Sequence, residues 1–464
     1  MPPEAAPDDE LGGSGLPPRK SRAHILRLLS LVTPVSEQEL ATALWITLQA
    51  FLVLSAYSCI KPVREAWILA LPSGPEYKIY TGVAIGGCAA LLVPIYAKVA
   101  TWWPRDRLIV RTTLFFALNS LAFYALYQGF GPTLGVAVAF YIWISIFNMM
   151  VVAQFWSFAN DLYSEAVGKR LFPLFALGAA LGAVAGSGLA EVLIGPLGTA
   201  SMLLVSTTLL VLSALVVRVV HFREVGAGDS LKRDALEPVT RTSAAFRLVL
   251  SDRYLLLIAV FAVLFTLVKT NGEYILARLA KDGANHQVLL GALGKQQLNG
   301  YLGAFYARFQ LYVNVLGLLL QTFAVSRVVR KLGIHVAFLL LPFVSLTSAM
   351  ALMAWPLLIV ALPFKVMENG TDYSFNNTVR NMLWLPTSRS AKYVAKQVTD
   401  TFCVRLGDVG SALLVLAGAG LMAWPLRIFV FINALTLVLW LGVARAILAR
   451  NRALSTAVVP ASPP

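Results

Sequence analysis

The sequence predicts an all-α integral membrane protein of about twelve transmembrane helices in two six-helix bundles. Three observations predict it. Apolar residues make up 58% of the 464-residue chain and charged residues only 13%, where a soluble domain carries about a quarter charged residues. The apolar residues fall into about twelve runs, each near the ~20 residues that cross a bilayer. The connections between runs alternate in charge. Of 38 Lys and Arg residues, 26 read onto one side and five, Lys78, Arg278, Lys281, Lys295 and Arg427, onto the other. A basic excess marks the cytoplasmic side. The expected placement is therefore a multi-pass protein of the plasma (inner) membrane with both termini in the cytoplasm.

Residues 1–40 read as a cytoplasmic tail. Met1 to Pro18 is rich in Pro, Gly and acidic residues. It lacks the basic start and apolar core of a cleavable signal and has the composition of a disordered segment. The apolar runs then follow at 41–61, 78–100, 108–127, 134–158, 171–194, 200–220, 254–275, 302–324, 335–353, 355–384, 397–422 and 426–447. Backbone polar groups have no water partner in hydrocarbon, so each run is expected to be a helix. The longest polar connection, 222–252, is highly charged and divides the chain. The expected organisation is a bundle over 41–221, a cytoplasmic linker over 222–252, a second bundle over 253–450, and a tail over 451–464.

The two halves share local patterns. The first run ends Lys61-Pro62-Val63-Arg64-Glu65, and the seventh ends Lys269-Thr270-Asn271-Gly272-Glu273. Each places Lys and Glu four residues apart on one helix face. The second and eighth runs both lead into basic loops, as do the fourth and tenth. A repeated six-helix unit is the architecture of transporters that rock two bundles about a central site. In the fifth run Gly178, Gly182 and Gly186 form a four-residue-spaced strip that allows close helix contact. The strip reads equally as a moving interface or as static packing.

The candidate functional residues are the charges inside the apolar runs, because charge there is costly and is retained for function. Lys61, Arg64 and Glu65 lie on one face of the first helix beside Pro62, which is expected to break the helix and free backbone carbonyls. Lys365, Glu368 and Asp372 share a face of the tenth, and Asn376, Asn377 and Arg380 continue along it. Asp400, Arg405 and Asp408 lie in the eleventh, Lys269 and Glu273 in the seventh, and Arg308 in the eighth. Asp161 ends the fourth. The expected substrate-binding set is Lys61, Arg64, Lys269, Lys365 and Arg380. The expected gating or proton-coupling set is Glu65, Asp161, Glu273, Glu368, Asp372, Asp400, Arg405 and Asp408. The mixture suits a polyanionic substrate or a set of gating salt bridges, and the residues alone do not divide those roles.

Other chemistries find no support in the sequence. The net charge of +15 is spread loop by loop, as topology and anionic lipid heads require, and there is no nucleic-acid-binding signature. Cys59, Cys88 and Cys403 are scattered, without disulfide or metal spacing. No Gly-x4-Gly-Lys-Ser/Thr motif exists, and no nucleophile–base pair or metal cluster marks an enzyme. No cofactor or metal is expected. The expected partners are a small anionic solute and the lipid bilayer, with the protein acting as a monomer.

The stretch from Phe155-Trp156-Ser157-Phe158-Ala159-Asn160-Asp161-Leu162, through Gly168-Lys169-Arg170-Leu171-Phe172, to Gly178-Ala179-Ala180-Leu181-Gly182 resembles the nucleotide (ATP:ADP) antiporter family of plastids and intracellular bacteria. Ile60-Lys61-Pro62-Val63-Arg64-Glu65 is similar to that family's first-helix segment. Tyr373-Ser374-Phe375 to Arg380-Asn381-Met382, with Lys396, Asp400 and Leu406-Gly407, is similar to its tenth and eleventh helices. The resemblance implies a major facilitator-like fold and exchange of a nucleotide for another nucleotide or phosphate. It implies phosphate-binding roles for Arg64 and Arg380. Two charges are inverted relative to the family pattern: Asp408 stands where it has a basic residue, and Lys269 where it has an acidic one. Asn377, Thr378 and Asn381 also depart from it. The departures point to the branch found in free-living bacteria, whose substrate need not be ATP.

Two other functions fit the residues. One is proton-coupled movement of a different solute with Glu65, Glu273 or Asp408 as proton carriers. The other is a sensor or scaffold that has kept a transporter fold, which gives no reason for so many intramembrane charges. The topology has a direct test. A cysteine introduced into 222–252 of a cysteine-free variant should react with an impermeant maleimide only from the cytoplasmic face, and labelling from outside refutes the assigned orientation.

Overall fold

In this computed structural model the described residues are 35–36, 39–100, 102–103, 105–163, 165–225, 242–387 and 395–458. Side chains at a few helix ends, Asp161 among them, lie outside the description. So do residues 1–34, to which the expected tail belongs, and most of the linker. The first half consists of α1 (Leu40–Leu69), α2 (Gly74–Ala100), α3 (Arg105–Phe130), α4 (Leu134–Leu162), α5 (Glu165–Leu197) and α6 (Ser201–Val225). A short helix, α7 (Thr242–Ser251), precedes the second half. There α8 (Arg253–Leu289) is followed by α9 (Leu298–Leu319) and α10 (Val325–Ala354). Next come α11 (Leu358–Thr371, continuing through Asp372–Asn376 to Asn377–Met382), α12 (Lys396–Leu421) and α13 (Leu426–Val458).

Among the described residues, nine helical segments are long and apolar enough to cross a membrane. One of them, Lys295–Ala354, holds α9 and α10, and α10 is itself broken by a kink where Gly333 takes φ 80°, a backbone conformation only glycine adopts freely. Helices α2 and α11 have comparable length but are not among the nine. The helices outrun the apolar runs: α1 continues past residue 61 to Leu69 and α8 past residue 275 to Leu289. Pro62 does not break α1, contrary to expectation. A proline removes one i→i−4 bond, and the helix continues through it with buried neighbours on both sides, Ile60, Val63 and Ala66.

Local signals set the helix starts. Ser36 and Glu39 form the reciprocal pair of a capping box before α1: the Ser36 N–H donates to Glu39 Oε2 at 3.3 Å, and the Glu39 N–H donates to Ser36 Oγ at 3.4 Å. Arg170 at the start of α5 donates to both Glu39 oxygens at 2.7 Å. Asp252 caps α8 by accepting from the N–H groups of Tyr254 and Leu255.

The halves repeat one packing plan. In the first half α1 packs on α5 and α6, α3 on α6 and α4, and α2 on α4. In the second half α8 packs on α12 and α13, α10 on α13 and α11, and α9 on α11. The contacts between halves are reciprocal: α2 meets α12, and α9 meets α5. Each is the second helix of one half against the fifth of the other, which is the pattern a two-fold relation generates.

The apolar core is asymmetric from end to end. At the end bearing the α1–α2 connection, one continuous buried cluster joins both halves and includes Trp67, Ile194, Tyr274, Ala284, Leu302 and Phe429. At the opposite end the halves keep separate cores. One lies around Phe155, Phe175 and Val217, the other around Phe261, Phe338 and Trp440. The molecule is sealed at the first end and divided at the second.

The glycine strip lies within the first half. A Cβ at Gly182 would stand 2.2 Å from the Phe51 carbonyl oxygen, and one at Gly186 2.2 Å from that of Ser55. Ser55 Oγ donates to the Gly182 carbonyl at 2.9 Å. The strip therefore presses α5 onto the backbone of α1. Gly182→Ala should cost about 1–3 kcal/mol through forced backbone separation, seen as a lower unfolding temperature in detergent. Gly87→Ala, with nothing within 4 Å of the added carbon, should leave that temperature unchanged or raise it.

Candidate functional site

Between the halves lies a cavity of ≈ 260 Å³ lined by Tyr57, Lys61, Pro62, Arg64, Glu65, Lys78, Tyr141, Lys269, Glu273, Tyr306, Phe309, Gln310, Asn369 and Tyr373. A second chamber of ≈ 430 Å³ shares Arg64, Lys78, Tyr141, Lys269 and Glu273 with it and adds Arg380 and Asp408. Six helices supply these walls: α1, α2, α4, α8, α9 and α11, with α12 closing the second chamber.

A chain of alternating charges crosses the site. Arg64 Nε lies 3.0 Å from Glu65 Oε1. The Lys78 ammonium lies 2.9 Å from Glu65 Oε2, a contact ion pair outside hydrogen-bond angles, and donates to Glu273 Oε2 at 3.2 Å. Glu273 in turn lies 4.0 Å from Lys365, whose ammonium donates to Glu368 at 2.7 Å. Tyr141 and Asn369 add hydrogen bonds to Glu65 and Glu273. Glu65 and Glu273 are the two repeat-related carboxylates, so one lysine joins the equivalent points of both halves. Lys78 has no counterpart: the only basic residue in α9, the equivalent helix, is Arg308.

The sequence sets Lys78 on the external side, at the first residue of the apolar run 78–100, and outside the candidate binding set. It is instead only 6% exposed and belongs to the site. The sequence sets Lys281 on the external side too. It is buried within α8, with its ammonium donating to the carbonyls of Leu71 and Pro72. Beside it the Tyr274 hydroxyl donates to Glu76 at 3.0 Å. These bonds tie α8 to the α1–α2 connection and form the sealed end. Lys78 opens the apolar run 78–100 and Lys281 follows the run that ends at 275, edge positions where burial and exposure leave the same trace in sequence.

The remaining candidates divide. Lys269 lines both chambers, and its ammonium meets Asp372 at 2.6 Å. Arg380 lines the second chamber and donates to Asp400 at 2.9 Å. Arg405 donates to Asp408 at 2.9 Å. Lys365 and Glu368 do not line either chamber; they form a buried pair behind it, facing small voids near Ser345 and Leu352. Arg308 leaves the site altogether: it is mostly exposed and pairs with Glu191 of α5 at 2.8 Å. The side chain of Asp161 lies outside the described residues. The face shared by Lys365, Glu368 and Asp372 is opened by a π-helical turn at Asp372–Asn376, a feature frequent at functional sites. Asp372 then meets Lys269 of α8, and Tyr373 meets Lys61 of α1.

Seven cations, Lys61, Arg64, Lys78, Lys269, Lys365, Arg380 and Arg405, stand against six carboxylates, Glu65, Glu273, Glu368, Asp372, Asp400 and Asp408. Lys61 is the member with no carboxylate at ion-pair distance among the described residues. Its ammonium lies 3.4 Å from the Tyr373 hydroxyl and 5.8 Å from the centre of that ring.

No family model matches the chain. It is 22% identical over 467 residues to "ADP,ATP carrier protein 4" of Rickettsia bellii (strain RML369-C), covering 86% of each chain. It is also 22% identical to "ADP,ATP carrier protein 1" of Chlamydia pneumoniae, covering 84% of this chain and 86% of that one. The solved structure of the nucleoside transporter NupG superposes with TM-score 0.60 at 12% identity, covering 88% of this chain and 98% of that one. The fold is therefore major facilitator-like, that of an all-α polytopic membrane protein. The proteins it is similar to are carriers and transporters, not enzymes.

Removing Lys78 leaves a buried Glu65 and a part-buried Glu273 without the cation between them, with Arg64 and Lys365 as their remaining neighbours. Lys78→Ala should lower stability by about 3–5 kcal/mol, the cost of stranding a buried charge. The double variant Lys78→Ala/Glu273→Gln should recover part of it. Thermal unfolding of the four species of this cycle measures the coupling, and additive effects would show that the bridge does not exist.

Proposed function

We propose that this protein is a secondary transporter that exchanges a phosphorylated anion, a nucleotide or phosphate, across the membrane by alternating access. Twelve helices carry it, in bundles over 41–221 and 253–450 joined by the cytoplasmic linker 222–252. It acts as a monomer in the inner membrane with both termini cytoplasmic. The observation that carries this reading is Lys61, a cation held in the central cavity without a carboxylate of its own. The charge ensemble around it is positive by one, so an anion completes its neutralisation. The tyrosines at 57, 141, 306 and 373 surround that position with rings and hydroxyls suited to a base and a sugar. The names of the two carriers support nucleotides as the solute class. The inverted charges at Lys269 and Asp408 support a branch apart from the ATP importers. The sealed and divided ends support one of the two access states, open toward the basic side.

In this reading Lys61 and Arg64 hold the anion, and Arg380 receives it in the outer chamber. Lys269 exchanges Asp372 for substrate oxygens. Glu65, Glu273, Asp400 and Asp408 keep the cations soluble in a low dielectric when the site is empty. A proton-coupled reading is favoured by one observation, the sharing of Lys78 between two carboxylates. Protonation of either would loosen the clasp between halves.

Guanidinium and ammonium groups bind phosphate oxygens by charge-assisted hydrogen bonds. Losing one costs about 1.5–3 kcal/mol. Lys61→Ala, Arg64→Ala and Arg380→Ala should therefore each weaken nucleotide or phosphate exchange in proteoliposomes roughly tenfold to a hundredfold, with the folded protein retained. Arg64→Lys should keep part of the activity. A thermal-shift screen of nucleotides and phosphorylated metabolites identifies the ligand. Failure of every phosphorylated compound to bind refutes this reading. Counterflow abolished by collapsing the pH gradient would favour proton coupling.

A further inference from the structure

Away from the central site, a pocket of ≈ 390 Å³ opens between α3 and α6. It lies at the end of these helices assigned to the cytoplasmic side. Three arginines converge on it, Arg107 and Arg111 from α3 and Arg218 from α6, joined by His221. Its floor is apolar: Val110 is 7% exposed and Val217 1%. Phe222, 75% exposed, stands at its rim.

Like charges at i and i+4 on one helix face repel, and Arg107 and Arg111 hold that spacing. Basic residues at cytoplasmic helix ends are ordinary, but these three are gathered into one concavity. Among the described residues none of them has a carboxylate at ion-pair distance. The side chains of the neighbouring Asp106 and Glu224 lie outside the description. Arg111 is held in place by Trp103, its guanidinium carbon 4.5 Å from the ring centre. Along the same two helices the surface next to the pocket is exposed and apolar, at Leu114, Phe115, Leu118 and Leu215. A phosphate seated among the arginines would thus have acyl-facing surface directly beside it. A free phosphate would use only the basic end and leave that surface unexplained.

We propose that this pocket is a binding site for the headgroup phosphate of an anionic phospholipid, with the acyl chains lying along α3 and α6. Guanidinium forks bind phosphate oxygens in pairs, and basic pockets at the cytoplasmic ends of membrane helices suit anionic headgroups.

Native mass spectrometry of the full chain, released from micelles containing graded phosphatidylglycerol or phosphatidylcholine, tests this. Wild type should retain phosphatidylglycerol in preference to phosphatidylcholine. Arg111→Ala and Arg218→Ala should each weaken that retention roughly fivefold, the effect of about 1 kcal/mol per basic residue. Arg111→Lys and Arg218→Lys should keep most of it. Arg450→Ala, at an exposed basic position on α13, should change nothing. Equal retention of both lipids, or an equal loss in the Arg450 variant, would overturn the proposal in favour of diffuse surface attraction. Displacement of the lipid by millimolar inorganic phosphate would overturn it in favour of a soluble anion.

Discussion

A charge placed in hydrocarbon must find an opposite charge or a polar cavity, and the interior of this protein is arranged around that requirement. Its centre is the clasp of Lys78 by Glu65 and Glu273. Each carboxylate sits at the repeated Lys-x-x-x-Glu position of its half, and the lysine comes from the start of α2. Burying one ammonium between two carboxylates leaves an excess of negative charge, which Arg64 and Lys365 offset on either side. The approach of α1, α2, α8 and α11 is thereby constrained at one point. The aromatic walls, Tyr141 and Tyr306 among them, pack against the same groups. Such a network contributes less to net stability than its number of ion pairs suggests, because desolvation offsets most of the attraction. Each member stranded alone is costly, so the members depend on one another.

The clasp also marks where the molecule changes character. Toward the α1–α2 connection, the halves share a dry apolar core and are tied by Tyr274 to Glu76 and by Lys281 to the carbonyls of Leu71 and Pro72. Toward the other end each half closes on its own core. Close-packed cores rearrange as units instead of deforming continuously. A reversal of this asymmetry would require the shared core to part and the reciprocal contacts of α2 with α12 and α9 with α5 to act as pivots. The polar bonds that would have to break run from Tyr274 and Lys281 within α8 to Glu76 and to the Leu71 and Pro72 carbonyls.

Lys269 and Asp408 are balanced locally. Lys269 is paired with Asp372 and Asp408 with Arg405, each within the second half. The π-helical turn at Asp372–Asn376 brings Asp372 to one cavity lysine and Tyr373 to the other. It couples the two cations through one turn of α11.

The sequence by itself determined the fold class. Apolar runs of bilayer length must become helices, because hydrocarbon offers the backbone no other partner. It also located the charged segments that meet at the centre, since Arg64, Lys269 and Arg380 stand within or just past the ends of such runs and all line the second chamber. The repeat of Lys-x-x-x-Glu was legible, and so was the small strip at Gly178, Gly182 and Gly186. The pairing of charges was not. Lys61 and Glu65 share a helix face, yet Lys61 meets Tyr373 and Glu65 meets Lys78, because partners are chosen by the tilt and rotation of helices distant in sequence. For the same reason Lys365 fell behind the cavity and Arg308 outside it. Lys78 and Lys281 read as external basic residues because a lysine at or beyond the edge of an apolar run looks identical whether its stem reaches water or turns inward. Only the packing of the other half against that helix end decides which, by removing the water.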